Sequence, residues 1–438
     1  MAYERPELHF TPKKGWINDP NGLIRIGDRY HLFAQHYPDS TERGPIHWLH
    51  ATSSDLLSWR EEGIALAPDE MGTMFSGSAV QDAQGRIALL YTAHGEIEHP
   101  CIAFSTDGLR FEKYAGNPVL INPGVEFFRD PKVFWNDRRG CWTMALALAQ
   151  KIEFYRSDDL INWRKTGEFR VQEDWVFECP DCFALTLPDG QEKWVLIAGL
   201  RLKKTIDGCR MRYWIGSFDG DSFTADHSFA QPLELETGYD SYAATSWYGT
   251  KKRLVMSWMS SRSHPLPIEE YCGCLSLVRE MSLVETPIGL RLAQRPVLPA
   301  MRFSRAEPDG RLPSGACVVE IEGQGAFELH LKDANGQTAL AVGCSEQNSI
   351  YTDRAISPDL SQAGWYNDPN KRRTNVARLR DGALKMWVIV DQWTVEIYAD
   401  DGLYAHGLLV FAQGGLTTLS WKGEARAQVW SQATRVTP

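Results

Sequence analysis

Ala51-Thr-Ser-Ser-Asp-Leu-Leu-Ser-Trp59 returns along the chain in altered form, as Ala103-Phe-Ser-Thr-Asp-Gly-Leu-Arg-Phe111 and Tyr155-Arg-Ser-Asp-Asp-Leu-Ile-Asn-Trp163. The serines of these three copies, at positions 53, 105 and 157, are 52 residues apart both times. A degraded fourth copy is Ile215-Gly-Ser-Phe-Asp-Gly-Asp-Ser-Phe223. A fixed interval of this size is typical of a repeat architecture.

A second element precedes each copy of the first: a short polar start, an apolar run, a turn and another apolar run. Its five copies begin at Asn18-Asp-Pro-Asn-Gly22, Phe75-Ser-Gly-Ser-Ala79, Arg129-Asp-Pro-Lys132, Glu178-Cys-Pro-Asp181 and Asp240-Ser-Tyr-Ala243. Turns such as Gly27-Asp28 and Asp189-Gly190 are of the type that reverses a chain between strands. Five antiparallel units of about 50 to 60 residues predict a five-bladed β-propeller, which we place in residues 1–295.

After Gln294-Arg-Pro-Val-Leu-Pro299 the repeat stops, and shorter alternating runs such as Leu384-Lys-Met-Trp-Val-Ile-Val390 take over. Turn pairs separate them, including Asn335-Gly336 and Asp381-Gly382. This pattern predicts an antiparallel β-sandwich in residues 300–438. The chain is therefore expected to be all-β, a propeller followed by a sandwich.

Composition limits the partners that we expect. The formal net charge of -10 leaves no basic surface for a polyanion, which argues against nucleic acid and acidic membranes. The amino terminus does not resemble a secretory signal, and no run approaches the roughly 18 apolar residues of a membrane span. With nine cysteines in no regular framework, we expect reduced thiols and a cytoplasmic location. Cys179-x-x-Cys182 and Cys272-x-Cys274 lack a convincing zinc ligand set, so we expect neither metal nor cofactor.

Four acids fall at the start of the second element: Asp19, Asp130, Glu178 and Asp240. The first strand of each propeller blade lines the central channel, so we expect these acids to converge at one mouth. Gathering carboxylates is costly because like charges repel in a low-dielectric pocket. The alternative is that each acid caps a local turn. Paired carboxylates without metal ligands or a phosphate-binding loop point first to glycoside hydrolysis.

The motifs resemble those of glycoside hydrolase family 32, the family of invertases, inulinases, levanases and sucrose-6-phosphate hydrolases. The matching segments are Trp16-Ile-Asn-Asp-Pro-Asn-Gly22, Phe75-Ser-Gly-Ser-Ala79, Phe128-Arg-Asp-Pro131, Glu178-Cys-Pro-Asp181 and Leu275-Ser-Leu-Val-Arg-Glu280. They span the predicted propeller in the family's order. The resemblance implies a retaining β-fructosidase that removes terminal fructosyl units from sucrose or fructo-oligosaccharides.

By this resemblance Asp19 is the nucleophile, Glu178 the general acid/base, and Asp130 the acid that holds fructose hydroxyls and stabilises the transition state. We expect crowding by carboxylates and apolar neighbours to raise the pKa of Glu178. Retention also predicts that about 5–5.5 Å separates the carboxyl groups of Asp19 and Glu178.

Further residues match the family's fructose subsite. They are Asn18, Gln35, Trp48, Phe75, Ser76, Arg129 and Asp240. Packing within a blade is the alternative for Trp48 and Phe75, and a ladder or turn hydrogen bond is the alternative for Gln35. We interpret the histidine pairs, His94/His99 among them, as ordinary sheet or loop residues.

Three departures from the family pattern are visible: Ile17, Val278 and the segment 262–274, which should lie near the leaving group. The preferred substrate among sucrose, sucrose 6-phosphate, inulin-type and levan-type oligomers stays open, as does fructosyl transfer. An inverting propeller glycosidase for arabinan or xylan and a silent sugar-binding module are the alternative functions. Self-association through the sandwich is a further expectation.

Overall fold

A computed structural model of the chain describes residues 3–171, 175–202, 209–226, 232–259, 266–298, 303–306, 309–357 and 364–432. Almost all regular structure in these ranges is β-strand. No helix in the described ranges has the length and apolar character that a membrane crossing requires.

Five antiparallel sheets form the first part of the molecule, and each is one blade. The first blade contains Gly15–Ile26 (β1), Arg29–Tyr37 (β2), His47–Ser53 (β3) and Arg60–Leu66 (β4). The second contains Thr73–Gln81 (β5), Ile87–His94 (β6), Glu98–Ser105 (β7) and Glu112–Lys113 (β8). The third contains Arg129–Asn136 (β9), Cys141–Leu148 (β10), Lys151–Ser157 (β11) and Arg164–Arg170 (β12). The fourth contains Trp175–Thr186 (β13), Glu192–Leu202 (β14), Arg210–Phe218 (β15), Phe223–Ala225 (β16) and Leu233–Glu234 (β17).

The fifth blade is built from Ser241–Ser246 (β18), Arg253–Met259 (β19), Cys274–Leu275 (β21), Arg279–Thr286 (β22) and Gly289–Pro296 (β23). The short strand Tyr271–Cys272 (β20) leaves this blade and pairs in parallel with β1, joining Gly15 to Tyr271 and Trp16 to Cys272. The backbone of Tyr248 adds hydrogen bonds of 2.9 Å with Leu23 and Arg25. The last blade is thereby joined to the first, and the ring is closed.

The recurrent serine element is the turn that leads from the third strand of a blade to its fourth. In the first copy the backbone amides of Leu57 and Ser58 donate to the Asp55 carboxylate, while the amide of Leu56 donates to the Ser53 hydroxyl. The same pattern surrounds Asp107 and Asp159. Side-chain oxygens that satisfy turn amides explain why serine and aspartate recur at this interval.

Apolar side chains fill the space between neighbouring blades. Phe33 and Trp48 of the first blade pack with Leu89 of the second, and Trp214 of the fourth blade packs in one cluster with Phe154 of the third. Strand side chains alternate between two faces, so each blade contributes to the layer on either side of it. The channel-facing starts of the first strands remain available for polar groups.

In the described residues after 298, the second part of the molecule contains nine strands and two short α-helices. They are Phe303–Ala306 (β24), Cys317–Asp333 (β25), Thr338–Cys344 (β26), Ser349–Arg354 (β27), Gly364–Asn367 (α1), Pro369–Arg372 (α2), Arg373–Ala377 (β28), Leu384–Asp391 (β29), Thr394–Ala399 (β30), Tyr404–Leu409 (β31) and Leu416–Gln432 (β32).

Two long strands, β25 and β32, pair along their length and connect both layers of this part. The first half of β25 pairs with β29 and its second half with β26, with a register irregularity between Gly323 and Phe327. The apolar runs at 317–322 and 326–331 therefore belong to one continuous strand. The predicted fold class, a five-bladed β-propeller followed by an antiparallel β-sandwich, is confirmed.

Buried ionic groups join the propeller to the sandwich. The ring of His9, which precedes the first blade, contacts Asp391 at 2.7 Å and Glu396 at 3.0 Å, and all three side chains are almost fully buried. Arg354 of β27 forms an ion pair with Asp240 of the fifth blade, also within the interior. The two parts of the molecule therefore share buried charges as well as apolar contacts.

Candidate active site

A pocket of about 270 Å³ opens where the first strands of the blades begin. Asp19, Asp130 and Glu178 all line it, although they come from three blades. Each of the three residues is less than 9% exposed. The expected convergence of these three carboxylates at the channel mouth is what the structure shows.

A bulge in the first strand of each blade positions these side chains. The register shifts between Ile17 and Pro20 in β1, between Glu178 and Asp181 in β13, and between Tyr242 and Thr245 in β18. Bulged residues are unpaired, and the strand bends locally, which re-aims their side chains. The acids therefore lie in and beside the bulges.

Backbone angles show the same distortion. Asp130, Cys179 and Ala243 have positive φ values of 59°, 47° and 53° in the third, fourth and fifth blades. Non-glycine residues seldom adopt this conformation. Three blades thus carry the same local strain beside the pocket.

Asp19 accepts hydrogen bonds from side chains of three neighbouring segments. The Ser76 hydroxyl donates to Oδ2 at 2.7 Å and the Asn18 amide to Oδ1 at 3.0 Å. The Gln35 amide lies 3.4 Å and the Cys179 thiol 3.5 Å from Oδ2. Donors of this kind fix the orientation of a carboxylate.

Asp130 is slightly more buried, at 6% exposed against 8% for Asp19 and Glu178. Its carboxylate accepts the backbone amide of Cys179 at 2.8 Å, and its own amide donates to the Thr92 hydroxyl at 2.9 Å. Burial raises the pKa of Asp130 to about 7, against the opposing effect of the Arg129 guanidinium. This carboxyl therefore changes charge near neutral pH in the unliganded pocket.

Glu178 is held by cations and a phenol. Arg129 Nη2 lies 2.7 Å and Arg201 Nε 3.1 Å from its Oε1, while the Tyr242 hydroxyl donates to Oε2 at 2.9 Å. The guanidinium groups favour the ionised form of Glu178, opposite in direction to the crowding that we expected. Its raised pKa and the predicted separation from Asp19 stay predictions.

Most of the predicted subsite residues meet at this pocket. Asn18, Gln35, Phe75 and Arg129 line it, and Ser76 reaches it through its hydrogen bond to Asp19. Trp48 does not line it: the indole is fully buried behind Phe75, where Nε1 donates to the Phe75 carbonyl at 3.1 Å. Core packing, the alternative interpretation of Trp48, describes this position, and the packing lies between the first and second blades.

Asp240 is also absent from the pocket lining. It precedes β18 and accepts hydrogen bonds from Arg354 and from the Leu409 amide, both in the sandwich. The residue of the fifth blade that corresponds to Glu178 beside its bulge is Tyr242. The alignment of four acids was wrong by two residues here, because the sequence does not show where the bulge falls.

Several residues of the site were missed by the sequence analysis. The pocket is also lined by Trp16, Arg43, His94, Arg201 and Trp258. His94, interpreted as an ordinary residue, stacks on Phe75 with 3.8 Å between ring centroids and contacts Glu98 at 3.0 Å. The position of His94 at the end of β6, beside the start of β5, is the signal that identifies it. Arg201 has no motif around it.

Two further expectations concern metals and the divergent segment. No disulfide bond joins the cysteines among the described residues, and in the same ranges no three histidine, cysteine or acidic side chains are grouped to hold a metal ion. Of the segment 262–274, residues 262–265 lie outside the described ranges.

Comparisons with known proteins cover nearly the whole chain. Residues 9–296 match the model of the "Glycosyl hydrolases family 32 N-terminal domain", and residues 304–435 match that of the "Glycosyl hydrolases family 32 C terminal". A levanase of Bacillus subtilis is 34% identical over 91% of this chain, which spans 65% of the levanase. A sucrose-6-phosphate hydrolase of Escherichia coli is 32% identical over 94% of both chains. The crystal structure of an exo-inulinase from Aspergillus awamori aligns with a TM-score of 0.88 at 26% identity, over 99% of each chain.

Proposed function

Because this chain belongs to glycoside hydrolase family 32, we propose that Asp19, Glu178 and Asp130 are the catalytic residues of a retaining β-fructosidase. The family confirms the predicted class of enzyme, a glycoside hydrolase that acts on β-fructosides. The observation that carries the residue assignment is the meeting of these three carboxylates, from three blades, in one pocket. Asn18, Gln35, Phe75, Ser76 and Arg129 complete the fructose subsite.

In the first step the Asp19 carboxylate attacks the anomeric carbon of the terminal fructosyl unit. The bond from that carbon to the bridging oxygen breaks, and the proton of Glu178 passes to the departing oxygen. The product is an ester between fructose and Asp19. Hydrogen bonds from Ser76 and Asn18 orient Asp19 for this attack.

In the second step water cleaves the ester. Glu178, now ionised, removes a proton from the water while the water oxygen attacks the anomeric carbon. The bond between that carbon and Asp19 breaks. Asp130 stabilises the positive charge that develops on the ring in both steps. Fructose leaves with its original anomeric configuration.

The size of the pocket favours removal of terminal units. Its volume is about 270 Å³, and the side chains of Asn18, Asp19 and Gln35, which line it, hydrogen-bond to one another. A pocket of this size favours a single sugar unit at the end of a chain. We therefore place sucrose and short fructo-oligosaccharides first among substrates, and self-association through the sandwich remains a proposal.

The test is fructosyl transfer from sucrose to methanol. A retaining enzyme produces methyl β-fructofuranoside through the Asp19 ester, and we expect this product together with fructose and glucose. Asp19→Ala abolishes all three products, while Asp28→Ala, in the exposed turn between β1 and β2, leaves them unchanged. An α-linked methyl fructoside, or full activity of Asp19→Ala, would contradict the proposal.

A further inference from the structure

The carboxylate of Glu178 receives its donors unevenly. Two guanidinium groups, of Arg129 and Arg201, meet at Oε1, and the Tyr242 hydroxyl meets Oε2. An oxygen facing two permanent cations is a poor site for a proton, so the proton that Glu178 donates resides on Oε2. The two arginines thereby select the oxygen that performs acid catalysis.

Arg201 reaches this position from β14. In the ladder between β13 and β14 its partner is Val176, two residues before Glu178 on the same face of the sheet. The residue is 8% exposed, and its guanidinium is as buried as the carboxylate that it contacts. The fourth blade thus supplies both the acid and one of the cations that hold it.

Phe127 lies close to both cations. Its ring centroid is 4.9 Å from Arg129 Cζ and 5.0 Å from Arg201 Cζ. Both distances are within the range in which a cation is attracted to an aromatic ring. The ring therefore offsets the repulsion between two guanidinium groups that share one oxygen. Phe127 adopts a φ of 60°, an uncommon conformation for a bulky residue, which indicates that its surroundings impose this place.

We propose that Arg201 and Phe127 are positioning residues of the acid/base: Phe127 holds the guanidinium groups of Arg129 and Arg201, and these fix Glu178 with Oε2 toward the departing oxygen. This inference rests on the proposed role of Glu178. It assigns a task to two residues that none of the family motifs quoted above contains.

The test is the pH profile of kcat/KM on sucrose, in which the alkaline limb reports loss of the proton from the general acid. Removing a cation beside a carboxylate makes it keep its proton to higher pH. Arg201→Met therefore moves the alkaline limb upward by about one pH unit. It also lowers kcat more than tenfold. Arg201→Lys, which keeps the charge, moves the limb less.

Phe127→Leu keeps both arginines and removes the ring. We expect it to lower kcat with little change in KM, and Phe127→Tyr to restore most of the loss. Arg212→Met, at the more exposed pair with Glu234 on β15, is the matched control and leaves the profile unchanged.

Two readouts separate this inference from the proposed function. A higher KM with an unmoved alkaline limb in Arg201→Met would show that Arg201 contacts the leaving group, and would overturn the inference. Glu178→Gln is measured beside it. If that variant retains full turnover, the assignment of Glu178 itself fails; if it collapses while Phe127 and Arg201 variants keep the wild-type profile, only the positioning role fails.

Discussion

Asp130 shows that a single site residue can cost stability. Its pKa of about 7 in the folded protein lies well above the ordinary value of an aspartate. A carboxyl with a raised pKa binds its proton more tightly when folded, so the folded state loses stability as pH rises from about 4 to about 7. The proposed reaction needs the ionised form of Asp130 in this buried position, and its burial lowers the stability of the folded protein.

Asp130→Asn is accordingly expected to be more stable than the wild type above pH 7 while losing most of its activity. The gain in the free energy of unfolding is at most about 4 kcal/mol, because the pKa of Asp130 rises from 3.8 to about 7 and one pKa unit corresponds to about 1.4 kcal/mol. Urea denaturation at pH 5 and pH 8 measures it, and the difference between variant and wild type is larger at pH 8. A variant that is less stable at both pH values would contradict this account.

Gly199 leaves room for the side chain of Tyr242. It pairs with Glu178 in the ladder, and a Cβ added to it would lie 2.3 Å from the Tyr242 hydroxyl. Gly199→Ala therefore displaces Tyr242 from Glu178 Oε2, and we expect kcat on sucrose to fall at least tenfold. Gly190→Ala, in the open turn of the same hairpin, is the control that keeps activity. Equal kinetics in the two variants would refute the contact.

Among elements, the bulged first strands determine where catalytic groups lie. In β5 the bulge falls between Phe75 and Gly77, and a Cβ on Gly77 would lie 1.9 Å from the Leu90 carbonyl oxygen. This close approach explains the glycine in the Phe-Ser-Gly-Ser-Ala motif. It brings Ser76 to Asp19.

Gly77→Ala is expected to lower the free energy of unfolding by about 2–4 kcal/mol, since the strand must move away from β6. Gly85→Ala, in the turn of the same hairpin with no atom nearby, costs only about 1–2 kcal/mol for its positive φ. Guanidinium denaturation of both variants provides the comparison. Similar losses in the two would mean that the close approach carries no penalty.

The turns and the bulged strands differ in how far they can be predicted from the sequence. The turn built on Ser53 and Asp55 satisfies its own amides locally, so its repetition revealed the blades. The bulges depend on pairing with the neighbouring strand, which the sequence does not display. For this reason Asp19, Asp130 and Glu178 were found through motifs, whereas Tyr242 was missed and Asp240 was misplaced. Arg201, whose role arises only from contacts across strands, had no local signal.

For the whole molecule, the buried cluster of His9, Asp391 and Glu396 makes stability depend on pH. Burial lowers the pKa of His9, but hydrogen bonds to the two carboxylates outweigh it and raise the pKa to about 9. The contribution of protonated His9 to the free energy of unfolding is therefore complete below about pH 6.5 and is lost as pH rises through about 9. The pKa values of Asp391 and Glu396 are lowered, so their contribution is lost on acidification.

We expect the melting temperature of the wild type to fall between pH 6.5 and pH 9. His9→Gln is less stable at pH 6.5, because two buried carboxylates lose their cation, and shows a flatter decline over this range. His330→Gln, at a more exposed pair with Glu328 within the sandwich, keeps the wild-type trend. Parallel melting curves for wild type and His9→Gln would exclude the cluster as the cause.

The closure of the propeller ring by β20 affects how the protein responds to rising temperature. The strand that carries Asp19 is also the strand at which the two ends of the propeller meet. Apolar side chains such as Trp16 and Trp258 pack across this seam, but its backbone pairing with β1 is short: two residue pairs with β20 and the hydrogen bonds of Tyr248. A small parallel pairing opens more readily than the long antiparallel ladders elsewhere. On warming, we therefore expect the setting of Asp19 to be lost before the blades unfold. Activity on sucrose would then disappear at a lower temperature than the loss of β-structure followed by circular dichroism, and coincident losses would contradict this expectation.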